Sequence, residues 1–376
     1  MDLTCMVTPE ALVDAERMEA NILRMQQRMN MLGVSFRPHV KTAKCVAVAE
    51  AQRAAGAKGI TVSTLKEAEQ FFAAGFPDII YAVGITPCKL PRVLALMRKG
   101  ADLKVLVDSV ESARNLAEAG TASGAVFSAL IEIDVDGHRS GALPDAADLE
   151  DIARALESGG ARLEGVLSHA GSSYELSDSD ALAALAERER SGTVRAAERL
   201  RGAGFVCPVV SVGSTPTALS ARSLEGVTEV RAGVYAFFDL VMYNVGVCSM
   251  EDIALSVLAT VIGHQRDKGW AIVDAGWMAL SRDRGTAGQT RDFGYGQVCG
   301  LDGRPMPGYI VSGTNQEHGI ISLASSLDKD IAGRFPLGSM LRILPNHACA
   351  TAAQFPEYHV FDDSGRLEQW PRFYGW

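Results

Sequence analysis

At 376 residues the chain is long enough for one barrel of roughly 250 residues plus a smaller partner domain. Its composition, 47 % hydrophobic and 22 % charged, is that of a globular protein, and a formal charge of -9 argues against a nucleic-acid or anionic-membrane surface. The N-terminus MDLTCMVTPEALVDAERM has no cationic segment followed by an apolar one, no stretch nears about 18 uninterrupted apolar residues, and seven scattered cysteines form no CxxC pair; a soluble, cytoplasmic protein is expected.

Met18, Ile22, Met25 and Met29 recur at helical spacing and predict a helix from about Val13 to Leu32, ended by Gly33. Short β-branched runs then alternate with helical stretches: VSFRPHV, GITVS, IIYAV, LKVLVD, SALIEID, LEGVLSH, PVVSVG and TEVRAG. Eight such units predict an α/β fold, a (β/α)8 TIM-type barrel, with a doubly wound open sheet as its rival. After Tyr243 the texture changes to strand-like runs such as DIALSVLATVIGHQ, KGWAIVDAG, GRPMPGYIVSGT and SMLRILPNH, separated by Gly, Asp and Pro turns. The expected division is a barrel over 1–245 and a C-terminal antiparallel β domain over 246–376, with the first few residues free to join the β domain.

In such barrels the chemistry lies at the carboxyl ends of the strands, and the motif residues fall there. Lys41 follows the first strand in RPHVKTAK. VGSTPTAL offers Gly213 for close backbone approach, Ser214 and Thr215 for hydroxyls, and Pro216 for a helical first turn. With Gly233 and Tyr235 of RAGVY at the neighbouring strand, this forms an anion cup suited to phosphate. A simple N-cap turn is the plain alternative. A lysine opposite a phosphate cup points to pyridoxal 5'-phosphate, which needs an amine for a Schiff base and an anion site for its phosphate. His169 and Tyr174 of HAGSSY then suit the ring or its substituents, unless His169 merely caps a strand. Arg139 of DGHRSG faces either the cofactor, a substrate carboxylate or a neighbouring loop.

In ILPNHACAT, His347 and Cys349 are two residues apart and share a face if the segment is extended. Imidazole and thiolate suit Zn²⁺, with Mn²⁺ or Co²⁺ as alternatives, although two donors do not complete a structural site and the pair can also be accidental. His318 in GTNQEHGI is a less specific candidate.

Together RPHVKTAK, TVSTLKEAEQ, DVDGHRSG, SHAGSSY, VGSTPTA, RAGVY and PNHACAT resemble, in order and over essentially the whole chain, the D-threonine aldolase and D-serine dehydratase group of fold-type III, alanine racemase-like PLP enzymes. The resemblance implies PLP on Lys41, a homodimer, a small amino-acid substrate, and a divalent metal on His347 and Cys349. Ala43 departs from the group, where many members have histidine. The HxC ending resembles the dehydratases, whereas the aldolases tend to carry aspartate at the position of Cys349. That implies loss of water and ammonia from D-configured β-hydroxy amino acids, 3-hydroxyaspartate or D-serine, by α-proton abstraction and metal-assisted departure of the hydroxyl. Retro-aldol cleavage to glycine and an aldehyde uses the same parts. A racemase has no use for the metal, and non-catalytic PLP-binding proteins lack the C-terminal domain. A second substrate carboxylate would want Arg139, Arg282 or Arg284.

Overall fold

The structure, a computed structural model, describes residues 3–376. Its first strand, β1 (Glu10–Asp14), leads into a helix over Ala15–Met31. The helix starts later than its apolar spacing predicts because Val13 pairs with Leu255 in a sheet and the Asp14 carboxylate accepts the Arg17 N–H at 3.1 Å.

Eight parallel strands then alternate with helices, as the sequence predicts: β2 (Ser35–Pro38), β3 (Ile60–Val62), β4 (Asp78–Gly84), β5 (Asp102–Val107), β6 (Phe127–Ile133), β7 (Ala161–Ser168), β8 (Val209–Val212) and β9 (Glu229–Ala232). Their order, β2-β9-β8-β7-β6-β5-β4-β3, is that of a near-closed barrel, and the seam between β2 and β3 carries a parallel bridge from His39 to Thr61. Ile80, Leu106, Leu130 and Leu167, from four consecutive strands, form an apolar cluster.

The seam is held by charge as well as by backbone. Arg37 on β2 donates from Nε to Glu229 at 2.8 Å and from its two terminal nitrogens to Asp78 at 2.9 and 3.0 Å. Lys104 reaches the same Asp78 at 3.2 Å and Asp102 at 2.8 Å. Gly59 makes this possible: its φ is +64°, and a Cβ there would stand 1.9 Å from the Arg37 guanidinium.

By contacts the chain divides into two units: residues up to Leu23 with Val234–Arg372, and Arg24–Gly233 with Phe373–Trp376. The crossover lies at Gly233–Val234, while the change in sequence texture lies near residue 246. The intervening segment clusters with the β unit because Leu240 donates its N–H to the Pro345 carbonyl at 3.1 Å, Ala254 donates to Phe237 at 2.8 Å, and Phe237 meets Tyr358 edge-on at 5.4 Å.

The β unit adds β10 (Leu255–Gln265), β11 (Trp270–Val273), β12 (Gln297–Cys299), β13 (Pro305–Thr314), β14 (Gly319–Leu323), β15 (Met340–Leu344), β16 (Glu357–Phe361) and β17 (Leu367–Pro371). The long strand β10 pairs with β1, β11 and β15, so the sheet curls back upon itself. Its ladders are antiparallel apart from β1 with β16. Among the described residues no helix is long and apolar enough to cross a membrane.

Removing one partner of a buried, hydrogen-bonded charge network strands the others in low dielectric. Arg37→Ala is expected to lower unfolding free energy by about 3 kcal/mol, measured as a shift of the urea midpoint at constant slope.

Candidate active site

Lys41 is exposed in the turn that follows β2, between the buried Val40 and Thr42. Behind it the chain is fixed: Lys44 has φ +46°, its Nζ lies 3.2 Å from the buried Glu67 carboxylate, and its carbonyl accepts the Phe373 N–H at 2.8 Å. After β9, Gly233 lies tight against this turn, where a Cβ would come within 2.9 Å of the His39 carbonyl oxygen and 3.3 Å of Thr42 Oγ1.

After β8, Ser214 caps the helix Thr215–Ser220, its Oγ accepting the Thr217 N–H at 3.2 Å, with Ser173 Oγ 2.9 Å away. Gly213 has φ +132°, and a Cβ there would collide with the Arg231 carbonyl at 2.2 Å. Thr215 Oγ1 is buried without a hydrogen-bond partner. A native fold rarely leaves a buried hydroxyl unpaired, so this atom marks a place where a ligand oxygen belongs. With the Lys41 amine for the aldehyde end, the residues present fit pyridoxal phosphate.

The electrostatics agree. Burial pushes His39 well below the ordinary imidazole range, and Lys41, Arg231, His169 and Arg139 add to the effect. Burial likewise takes His169 down to about 3; its hydrogen bond to Gly213 opposes this, while Lys41, Arg139 and Arg231 reinforce it. His169 is therefore neutral, and with Nδ1 3.0 Å from the Gly213 carbonyl it donates there and keeps Nε2 as an acceptor. Its ring centroid lies 6.4 Å from that of Tyr174. Arg231, buried on β9, is lowered to about 10 by desolvation against the pull of Glu229, Glu189 and Glu132. Its Nε donates to Ser211 Oγ at 3.0 Å and its terminal nitrogen to the Ser168 carbonyl. Arg139 is half exposed and reaches Glu132 at 3.3 Å. This mouth is rich in positive charge, as a dianionic phosphate requires.

His347 and Cys349 do not lie on an extended segment. β15 ends at Leu344, and His347 is the N-cap of the short helix Ala348–Ala352. The fully buried Asp239 carboxylate turns the chain there, accepting the N–H of Ala348 at 2.8 Å and of Met242 at 2.9 Å. The turn still brings the two side chains into a hydrogen bond. His347 Nδ1 lies 2.6 Å from Asp283 Oδ2, which leaves Nε2 and the Cys349 sulfur as donors. Burial alone would lower the His347 pKa, but Cys349, Asp283 and Asp239 together raise it. A carboxylate-oriented imidazole beside a thiol fits a divalent cation with open positions. Among the described residues no set of three His, Cys, Asp or Glu side chains converges on such a site. His318 is exposed in the turn between β13 and β14. Arg284 is bound to Asp292 at 2.7 Å, and Arg282 lies over the Trp277 ring at 4.1 Å.

The structure thus gathers Lys41, Arg139, His169, Tyr174, Gly213, Ser214, Thr215 and Gly233 around the barrel mouth. Tyr235 is fully buried in the turn Val234–Ala236, which clusters with the β unit. Nothing in the sequence singles out Glu189, Asp239 or Asp283: each is an acid in an ordinary helix or loop. His39 and Arg231 lie inside the quoted motifs, and their burial was the missing signal.

Two family models match: alanine racemase, N-terminal domain, over residues 13–241, and a serine dehydratase domain over residues 254–361. The D-threo-3-hydroxyaspartate dehydratase of Delftia sp. (strain HT23) is 66 % identical over 371 residues, 98 % of each chain. The D-serine dehydratase of Dictyostelium discoideum is 31 % identical, covering 97 % of this chain and 96 % of its own. A solved structure of a cysteine-to-alanine mutant of D-threo-3-hydroxyaspartate dehydratase, in the metal-free form, superposes with a TM-score of 0.99 at 64 % identity, covering 100 % of both chains.

Thr215→Val should leave the cofactor-free protein as stable as the parent or slightly more so, because it removes an unpaired hydroxyl, yet weaken PLP binding by about tenfold in a spectroscopic titration. Asp283→Ala should weaken divalent-metal binding by about 10–100-fold in a chelator competition, since His347 loses its orienting carboxylate.

Proposed function

The chain belongs to the family of enzymes that join an alanine racemase N-terminal domain to a serine dehydratase domain, and on that premise we propose that it is a PLP- and divalent-metal-dependent dehydratase. As a lyase it converts 3-hydroxyaspartate to oxaloacetate and ammonia, and D-serine to pyruvate and ammonia. The observation that carries this reading is that one chain holds both a lysine with a phosphate-fitting cup and a carboxylate-oriented His-Cys pair. The 66 % identity to a hydroxyaspartate dehydratase supports the choice of substrate.

When bound, PLP supplies an electron sink for the α-carbon and the divalent cation a Lewis acid for the β-hydroxyl, which is otherwise a poor leaving group. Lys41 would hold the cofactor through Nζ, and the same amine, when free, would be the base for the α-proton. Gly213, Ser214, Thr215 and Gly233 seat the phosphate. His169, held neutral, presents Nε2 as an acceptor beside the Tyr174 ring, and Arg139 and Arg231 supply the compensating charge. His347 and Cys349 hold the cation, with Asp283 orienting the imidazole; their nitrogen and sulfur favour Zn²⁺ over Mn²⁺ or Co²⁺. Cytoplasmic location is supported by the scattered cysteines, and a homodimer by the family resemblance. A retro-aldol cleavage of D-threonine would employ the same residues; Cys349, where aldolases tend to carry aspartate, favours elimination.

Incubation with D-serine, D-threonine and the 3-hydroxyaspartate isomers should release ammonia and a 2-oxo acid, with activity abolished by chelation and restored by a divalent cation. The visible absorbance of the purified protein should vanish in Lys41→Ala. Glycine from D-threonine without ammonia would overturn the dehydratase reading in favour of the aldolase.

A further inference from the structure

We propose that Glu189 is a positioning residue for the cofactor, joining the loop that carries His169 and the loop that carries Ser214 and Thr215 into one rigid piece. The inference rests on the PLP reading of the barrel mouth.

Glu189 lies within the helix Ser179–Gly202 and is only 1 % exposed, whereas Glu187, two residues before it, has a side chain 53 % exposed. A single oxygen, Oε1, accepts the N–H of Ala170 at 3.0 Å and of Gly213 at 3.1 Å. Ala170 directly follows His169, and Gly213 directly precedes Ser214. The Thr217 side chain hydrogen-bonds to the same carboxylate, and Thr217 is the residue whose N–H the Ser214 cap holds. Two strand ends and the first turn of the following helix therefore meet on one side chain.

The connection continues to the imidazole. Gly213 donates its N–H to Glu189, and on the other side of its Cα its carbonyl, at 3.0 Å, accepts the Nδ1–H of His169. Glu189 thus holds in place the residue whose carbonyl sets the tautomer of His169, without touching the ring. Its second amide bond holds the backbone on the far side of the same histidine. One turn further along the helix, Thr193 Oγ1 donates to Ser168 Oγ at 2.8 Å and secures the residue before His169.

A buried carboxylate is expensive unless hydrogen bonds and charge compensate it. Burial raises its pKa, while Thr217, the two backbone amides and the Arg231 charge act in the opposite direction. A helix clamp alone needs no acceptor aimed at two loop amides. An apolar side chain of similar size would fill the space.

The test uses the whole chain, stripped of cofactor and titrated with PLP by visible absorbance, together with ¹⁵N–¹H spectra of the histidine side chains. Wild type should bind PLP and show an Nδ1–H signal for His169. Glu189→Gln keeps an acceptor oxygen and should bind within about threefold of wild type, whereas Glu189→Leu leaves two buried amides unpaired and should bind at least about tenfold more weakly, with the Nδ1–H signal lost. A folded Glu189→Leu protein with wild-type PLP affinity and an unchanged His169 signal would overturn the role. Should that variant fail to fold, Glu189→Asp decides: its side chain is one methylene too short to reach both amides, so it should show the same loss, and wild-type behaviour would refute the proposal. A wild-type chain that binds no PLP would instead overturn the cofactor reading, and the inference with it.

Discussion

Positive charge buried inside a barrel is the constraint on which this structure depends. Two arginines, Arg37 and Arg231, lie within the parallel strands at 7 % and 4 % exposure, and neither can be deprotonated away. The first is fully compensated: Glu229 and Asp78 take its nitrogens, and Lys104 shares the network. The second is compensated at a distance by Glu229, Glu189 and Glu132, and Arg139 adds charge of the same sign. One end of the barrel interior is therefore electrostatically closed and the other is left in want of an anion. A buried ion network is weak evidence for stability, but it fixes geometry, because every member must keep its partner.

The same logic explains why the two histidines of the mouth are neutral. An imidazolium there would face Lys41, Arg139 and Arg231 in a desolvated setting, so His39 and His169 release their protons. Neutrality gives His169 a definite tautomer, with one nitrogen donating to Gly213 and the other open. In the β unit the histidine has the opposite surroundings: the Cys349 sulfur, Asp283 and Asp239 face His347, and they favour its protonated form against its burial. Two imidazoles in one chain thus receive different chemistry from the sign of their neighbours alone.

The fold is largely readable in the sequence. The eight strand periods were legible because a parallel strand buried on both faces is a local run of Val, Ile and Leu bounded by turn residues. Lys41, Gly213 to Thr215, and the pair His347 and Cys349 stand out in the sequence as candidates because their types and spacing are unusual. β1 does not show in the sequence, because five residues directly before a helix look like its first turn, and their strand partners lie some two hundred and forty residues away in β10. The extended geometry expected for the His-Cys pair failed because Asp239, a hundred residues earlier, captures the Ala348 amide and starts a helix.

The sequence by itself determined which chemical groups are present at which strand ends, since side-chain period and loop composition are properties of neighbours along the chain. Only the tertiary structure decided which acids are desolvated and whose protons they hold. In the run AERERSG nothing distinguishes Glu187 from Glu189 as a carboxylate. Packing of that helix leaves one in water and aims the other at two amides, and the dielectric around each, not its identity, sets what it does.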